Sequence, residues 1–195
     1  HRLDADTSGL IAVAKDDAAH SFLQDAFRQR QVRKRYLALV AGLPRADVFA
    51  HAGAIGRHPK DFRRRGVLSS EHPAAKAAYT RFLVRQRDQA RGISVIEARP
   101  HTGRTHQIRV HLAAGGHPVL ADPVYGRGRC WPDPAREPGA LVQLQRHALH
   151  AWLLELPHPS GGERTFRAPI PADLAAIIGP AAAALMPLED AAPGA

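Results

Sequence analysis

The chain has 195 residues, 45% of them hydrophobic, enough for one domain with its own core and too many for wholesale disorder. Its 27 Lys and Arg against 18 Asp and Glu leave a formal net charge of +9, so the expected partner is a polyanion: nucleic acid first, an anionic membrane surface second. A single cysteine, Cys130, excludes an internal disulfide and any cysteine-based metal site, no apolar run reaches the length of a membrane span, and a reducing cytoplasm is the expected location.

Residues 9–15, GLIAVAK, have the apolar density of a short buried strand. Asp16 and Asp17 offer N-cap chemistry for a helix on which Phe22, Leu23, Ala26 and Phe27 share one face. A basic run, Arg28 to Arg35, leads into a strand over 35–42 that Gly42 and Pro44 close. The punctuation of Gly53, Gly56, Pro59, Gly66 and Pro73 predicts loop over 51–75. Strands are expected over 76–84 and 92–100, then a helix within 101–116 stopped by Gly115-Gly116. Residues 117–129 are rich in turn signals, and 130–146 read as a surface insertion. Two more strands, 147–156 and 164–170, precede a helix over 171–178, and the tail from Glu189 is expected to fray. Strands and helices mix without a βαβ rhythm, so the fold class expected is α+β with a mixed, mostly antiparallel sheet flanked by helices and loops.

Several chemistries are disfavoured by spacing. Of twelve histidines, His106 and His111 are five apart, which splays them on a helix, and no H-E-x-x-H occurs, so no metal site is expected. HTGRT lacks the glycines and the Gly-Lys-Ser/Thr ending of a phosphate loop. Ser8 is not in a G-x-S-x-G elbow, and its hydroxyl is expected to hold a turn. Asp4, Tyr36 and Arg109 make a coherent group. An ionised carboxylate serves as nucleophile or base, a guanidinium partner favours that form, and a tyrosine can stack on a nucleobase while arginines hold phosphates. Spacing alone does not join the three, because they lie far apart in the chain.

Motifs do join them. HRLDADTSGL resembles the H-R-L-D-x-x-T-S-G signature of the RluA-type pseudouridine synthases, RKRYLALVAG resembles their second motif, and TGRTHQIRVHLAAGGHPVLADPVYG their third with its H-P-[IVL]-x-G-D-x-x-Y-G continuation. RHALHAWLLELPHP and FRAPIPADL carry the likeness to about residue 174. The resemblance implies the pseudouridine synthase fold and isomerisation of uridine to pseudouridine in RNA, a reaction that exchanges no electrons and needs no cofactor. It makes Asp4 the catalytic aspartate, with Asp6 at a variable position, Tyr36 the active-site tyrosine and Arg109 the partner of Asp4. Arg2 would help open the RNA stack, and Arg104 and His106 would shape the RNA groove. Arg33, Lys34 and Arg35 complete the expected RNA-binding set. Whether the aspartate attacks C1′, adds to the base or takes the 2′ proton stays open.

Two positions depart from the pattern. Ala121 stands where glycine is usual, at a turn, and Ala75 where glycine often precedes lysine. Family members also carry an upstream strand and a Lys-Pro segment, and some a small RNA-binding domain. The chain therefore reads as an N-terminally truncated catalytic domain over 1–188 with a disordered tail over 189–195. IGRHPKDFRRRG, DPVYGRGR and APIPADL look most like the RluD-like branch. That branch implies large-subunit ribosomal RNA as partner and a monomer away from membranes. The same chemistry on transfer RNA or another ribosomal site is the near alternative. A non-catalytic RNA-binding or ribosome-assembly protein is the distant one.

Overall fold

Residues Arg35 to Val40 are buried one after another, the burial of a strand covered on both faces. In the computed structural model, which describes residues 1–58, 61–126 and 144–185, this segment is strand β2 (Arg33–Ala41), at the centre of a seven-stranded sheet. In chain order come β1 (Ser8–Gly9), α1 (Asp17–Arg28), β2, β3 (Val48–Ala52), β4 (Ala54–His58), β5 (Asp61–Leu68), β6 (Tyr79–Asp88) and β7 (Ile93–Pro100). They are followed by α2 (Gln107–Ala114), β8 (Leu149–Pro157), β9 (Glu163–Arg167), α3 (Ala172–Ile178) and a 3-10 turn over Pro180–Leu185. The sheet order is β1-β8-β2-β7-β6-β3, with β9 also on β8; only β1–β8 is parallel. The α+β, mostly antiparallel expectation holds.

Alternation assigns two faces. Tyr36 pairs with Ala98 and Ala38 with Ile96, and this face carries α2 through Ile108 and Leu112 and α1 through Ala26 packed on Leu154. The reverse face carries Leu37 opposite Glu97 and Leu39 opposite Val95. There α3 brings Ile177 and Ile178 against Ile93 and Val95. Each such aliphatic side chain withdrawn from water contributes about 1.5–3 kcal/mol.

Two expectations need correction. The strand over 9–15 ends at Gly9: the Leu10 amide still donates to the Ala151 carbonyl at 2.9 Å, but the Trp152 carbonyl is taken by the Ala168 amide at 2.8 Å, and β9 occupies that edge of β8 from Leu153. Ile11 and Val13 are left exposed. The loop over 51–75 contains the end of β3 and the β4–β5 hairpin, in which Gly56 faces Gly66. Gly56 is not punctuation: a Cβ there would sit 2.4 Å from Leu68 Cδ1 and 3.1 Å from the Ala74 carbonyl oxygen, so glycine answers crowding. The helix expected within 101–116 is α2, which stops at Gly115 as expected; it begins at Gln107, whose side chain holds the preceding loop by accepting from Thr102 Oγ1 at 2.7 Å and the Arg104 amide at 2.9 Å. Most of the insertion read over 130–146, and the tail over 189–195, lie outside the described residues.

Candidate active site

The first motif begins as an irregular strand of residues and ends clipped to β8. The Thr7 amide donates to the Asp4 carbonyl at 3.1 Å, closing a turn in which Asp6 takes the left-handed conformation at φ 68°, one that aspartate tolerates. Thr7 Oγ1 meets His147 Nε2 at 2.7 Å and Ser8 Oγ meets His150 Nδ1 at 2.9 Å. The Ser8 hydroxyl thus binds a side chain 142 residues away, where the sequence suggested a local turn. Gly9 has φ 111°, and a Cβ on it would lie 2.1 Å from the Ala151 carbonyl oxygen; only glycine lets the motif approach β8 so closely. The T-S-G of the motif is the hardware that presents Asp4.

Helix α2 delivers Arg109, whose NH1 lies 3.3 Å from Asp4 Oδ2 across 105 residues of sequence. Arg109 is also held from a second side. Its Nε donates to Asp122 Oδ2 at 2.7 Å and its NH2 to Asp122 Oδ1 at 2.9 Å, while Oδ1 accepts the Val124 and Tyr125 amides at 2.9 and 3.0 Å. The Asp122 side chain is fully buried. Burial opposes charge on both partners and is outweighed on both. The Arg109 bonds and two amides hold Asp122 below the usual carboxylate range, and Asp122, with Asp4 adding to it, lifts Arg109 above its usual value. One guanidinium serves two carboxylates, Asp122 through Nε and NH2 and Asp4 through NH1.

The Tyr125 ring lies under the Arg109 guanidinium at 5.1 Å, and its hydroxyl accepts the Arg65 amide at 2.9 Å and meets His106 Nδ1 at 2.8 Å. His106 itself stands at the N-cap position of α2 in the left-handed conformation, φ 57°, with its side chain turned to Tyr125 and not to the helix amides. Burial pushes its imidazole down, Asp4 and Arg109 pulling in opposite directions. Burial first, then the Asp4 charge, pushes the Tyr36 phenol up to about 12, so the ring is neutral at physiological pH.

These groups border a cleft of about 460 Å³ lined by Asp4, Tyr36 and Ile108 in its depth, with Arg2, Lys34 and Arg104 among the cations around it. Lys34 Nζ lies 5.8 Å from the Phe27 ring centroid, and burial lowers its pKa. Arg104 Nε donates to the Ala77 carbonyl at 3.1 Å, which ties its loop to the chain before β6. Of the residues singled out from sequence, the cleft gathers Asp4, Tyr36, Arg2, Lys34, Arg104 and His106, with Arg109 behind Asp4. Arg33 and Arg35 go elsewhere. They alternate with Lys34 along β2 and face the reverse side, Arg33 3.8 Å from Glu155 and Arg35 3.9 Å from Glu97. Asp122, Tyr125 and His147 support the site without having been singled out from sequence; the D-x-x-Y-G spacing after the third motif was the available signal for the first two.

The model of the RNA pseudouridylate synthase family matches residues 1–114. The chain belongs to the RNA pseudouridylate synthase family. Among curated relatives of this family, the ribosomal large subunit pseudouridine synthase D of Nitrosomonas europaea is 44% identical over 179 residues, covering 91% of this chain and 49% of that protein. The protein of the same name from Escherichia coli K12 is 38% identical over 181 residues, covering 91% and 53%. The chain thus spans about half the length of the curated relatives it matches. The solved human RNA pseudouridylate synthase domain containing 1 superposes with a TM-score of 0.71 at 33% identity, over 89% of this chain and 70% of that one. The fold is that of the pseudouridylate synthases.

Proposed function

We propose that this chain is the catalytic part of an RNA pseudouridine synthase that converts uridine to pseudouridine, with large-subunit ribosomal RNA as substrate. One observation carries the reading: a carboxylate, Asp4, is held 3.3 Å from a buried guanidinium at the bottom of a basic cleft whose wall includes the Tyr36 ring. The ribosomal substrate is supported by the names of the relatives and by the RluD-like segments of the sequence. A single cysteine and a cleft built within one chain fit a cytoplasmic monomer.

A uracil in folded RNA is stacked or paired and must be extruded at a cost of a few kcal/mol. Arg2, exposed at the mouth of the cleft, is placed to fill the vacated stack. Asp4 initiates cleavage of the N1–C1′ bond, and Arg109 aligns it. The freed base rotates and rebinds through C5. The Tyr36 face suits that step, since stacking tolerates rotation in the plane. Because its phenol is held neutral, Tyr36 acts as a platform, and the C5 proton leaves by another acceptor, water or Asp4.

RNA labelled with tritium at uracil C5 tests the reading. The chain is expected to release the label, and Asp4→Asn is expected to release none while retaining RNA affinity. Undiminished release by the variant would remove Asp4 from the chemistry.

A further inference from the structure

Strand β7 ends at Pro100, opposite Thr80 on β6, and beyond that pair side chains take over the ladder. The His101 amide still donates to the Tyr79 carbonyl at 3.0 Å, but the Tyr79 amide donates to the Thr102 hydroxyl at 3.1 Å. The Gln107 carboxamide closes this junction. Its Nε2 donates to the Tyr79 carbonyl at 3.0 Å and to Thr80 Oγ1 at 2.9 Å. Its Oε1 accepts from Thr102 Oγ1 at 2.7 Å and from the Arg104 amide at 2.9 Å. Both donors and both acceptor sites of one amide are filled. Behind it, Thr80 Oγ1 lies 3.0 Å from His111 Nδ1, and His111 Nε2 lies 3.4 Å from the Gly53 carbonyl oxygen.

The two ends of this chain of bonds fix its direction. The Arg104 amide can only donate and the Gly53 carbonyl can only accept. The Thr80 hydroxyl therefore receives from Gln107 and donates to Nδ1, and Nε2 carries the His111 proton. Thr80, Gln107 and His111 are all buried, and of the three only Gln107 borders the cleft. Residues 100–108 all line the cleft, and from His101 to His106 they have no helix or strand to hold them. The Gln107 amide does so instead. This wall carries Arg104, whose exposed side chain donates from Nε to the Ala77 carbonyl at 3.1 Å and has no other partner among the described residues. That one bond orients the guanidinium plane and leaves its two terminal nitrogens for an anion of phosphate shape.

We infer that Gln107 and Thr80 are positioning residues for substrate capture: they hold the loop before α2 so that the Arg104 fork stands ready for a backbone phosphate beside the target uridine. The inference rests on the proposed function for the identity of the anion. Its own basis is the directed chain of bonds from Gly53 to the Arg104 amide, its burial, and the fork left open at the cleft. Buried polar groups that are all satisfied select one arrangement of the segments they join. Here that arrangement is the shape of the wall. Thr80 acts without touching RNA, since it does not line the cleft.

The test compares the 195-residue chain with Thr80→Val, which keeps the shape of the side chain and removes the hydroxyl that joins Gln107 to His111. The probe is a large-subunit ribosomal RNA stem-loop with a single-stranded uridine, labelled with tritium at uracil C5. Measured well below the melting temperature, KM and Kd are expected to rise about tenfold, the loss of one charge-assisted contact, while kcat holds. The slope of log K against log salt should weaken by about 0.7, one phosphate contact on single strands. Thr80→Ser should restore both values. In an Arg104→Met background, Thr80→Val should add no further loss, because the two act through one contact. A lowered melting temperature with unchanged Kd and salt slope overturns the inference, as does a full additional loss in the Arg104→Met background. Should Thr80→Val not fold, Thr102→Val cuts the same chain of bonds nearer the surface and carries the same expectations. Failure of the pseudouridine reading shows differently, as no tritium release by the unmodified chain, and Kd and the salt slope then still decide the role of Thr80.

Discussion

Replacing Asp122 with Asn is the most informative single change, because it alters one atom of the group that fixes Arg109. Asparagine keeps Oδ1 and with it the Val124 and Tyr125 amides and the Arg109 NH2 contact at 2.9 Å. The second oxygen, which accepts Arg109 Nε at 2.7 Å, becomes an amide NH2, so a donor faces a donor. The site is dry, with the Asp122 side chain at 0% and the Arg109 side chain at 5% exposure. Removing one member of a buried pair costs about 3–5 kcal/mol, and Asp4 remains as a second acid, so the lower end, about 3 kcal/mol, applies. At about 2–4 °C per kcal/mol for a domain of this size, the melting temperature should fall by about 6–12 °C. With its stronger anchor gone, the Arg109 fork turns toward Asp4, and kcat should fall at least tenfold, about 1.4 kcal/mol, with RNA affinity retained. A merely structural role would lower stability and leave kcat per folded molecule unchanged. The assay is thermal unfolding with single-turnover tritium release, repeated in an Arg109→Met background. There the same Asp122→Asn change should cost much less on both measures, because contacting residues are not additive. Equal cost in both backgrounds would refute the view that Asp122 acts through Arg109.

Acid should destabilise this fold well above the carboxylate range. Burial pushes both His111 and His147 down to about 4, with the His51 charge adding at His111 and Arg109 at His147. The unfolded chain, with histidines near 6.5, binds more protons than the folded one between those values. Stability is therefore fully present above pH 6.5 and declines as pH falls toward 4, and a urea midpoint identical at pH 7.5 and pH 5 would contradict it. Ala121 has φ 54°, as the departure from glycine at that turn suggested. Ala121→Gly removes about 1–2 kcal/mol of left-handed strain against about 0.5–1 kcal/mol of added chain entropy, so a small rise in melting temperature is expected and a fall would refute the strain.

The elements with a clear period were legible in the sequence. Helix α1 has its Asp16 cap, whose side chain accepts the Ala19 amide at 2.7 Å, and its apolar face. Strand β2 reads as an apolar run, and α3 begins after Pro171. The hairpin of β4 and β5 was not legible, since two glycines opposite one another look like turn signals until the neighbour that crowds one of them is known. The extent of β1 was hidden for a similar reason: β9, more than 150 residues later, claims the edge it would have used.

For the site, motifs named Asp4, Tyr36 and Arg109, because the residue types required by a reaction keep their local spacing within each short segment. Three things were decided only by tertiary structure. Arg109 is shared between Asp4 and Asp122, a matter of which N–H points where in a dry pocket. The basic run before Tyr36 is split, Lys34 to the cleft and Arg33 and Arg35 to the reverse face, because a strand sends alternate side chains to opposite sides. Finally, Arg35, Arg99 and Arg81 come side by side on β2, β7 and β6 only through register, which is a property of how distant segments pair and which no single segment carries.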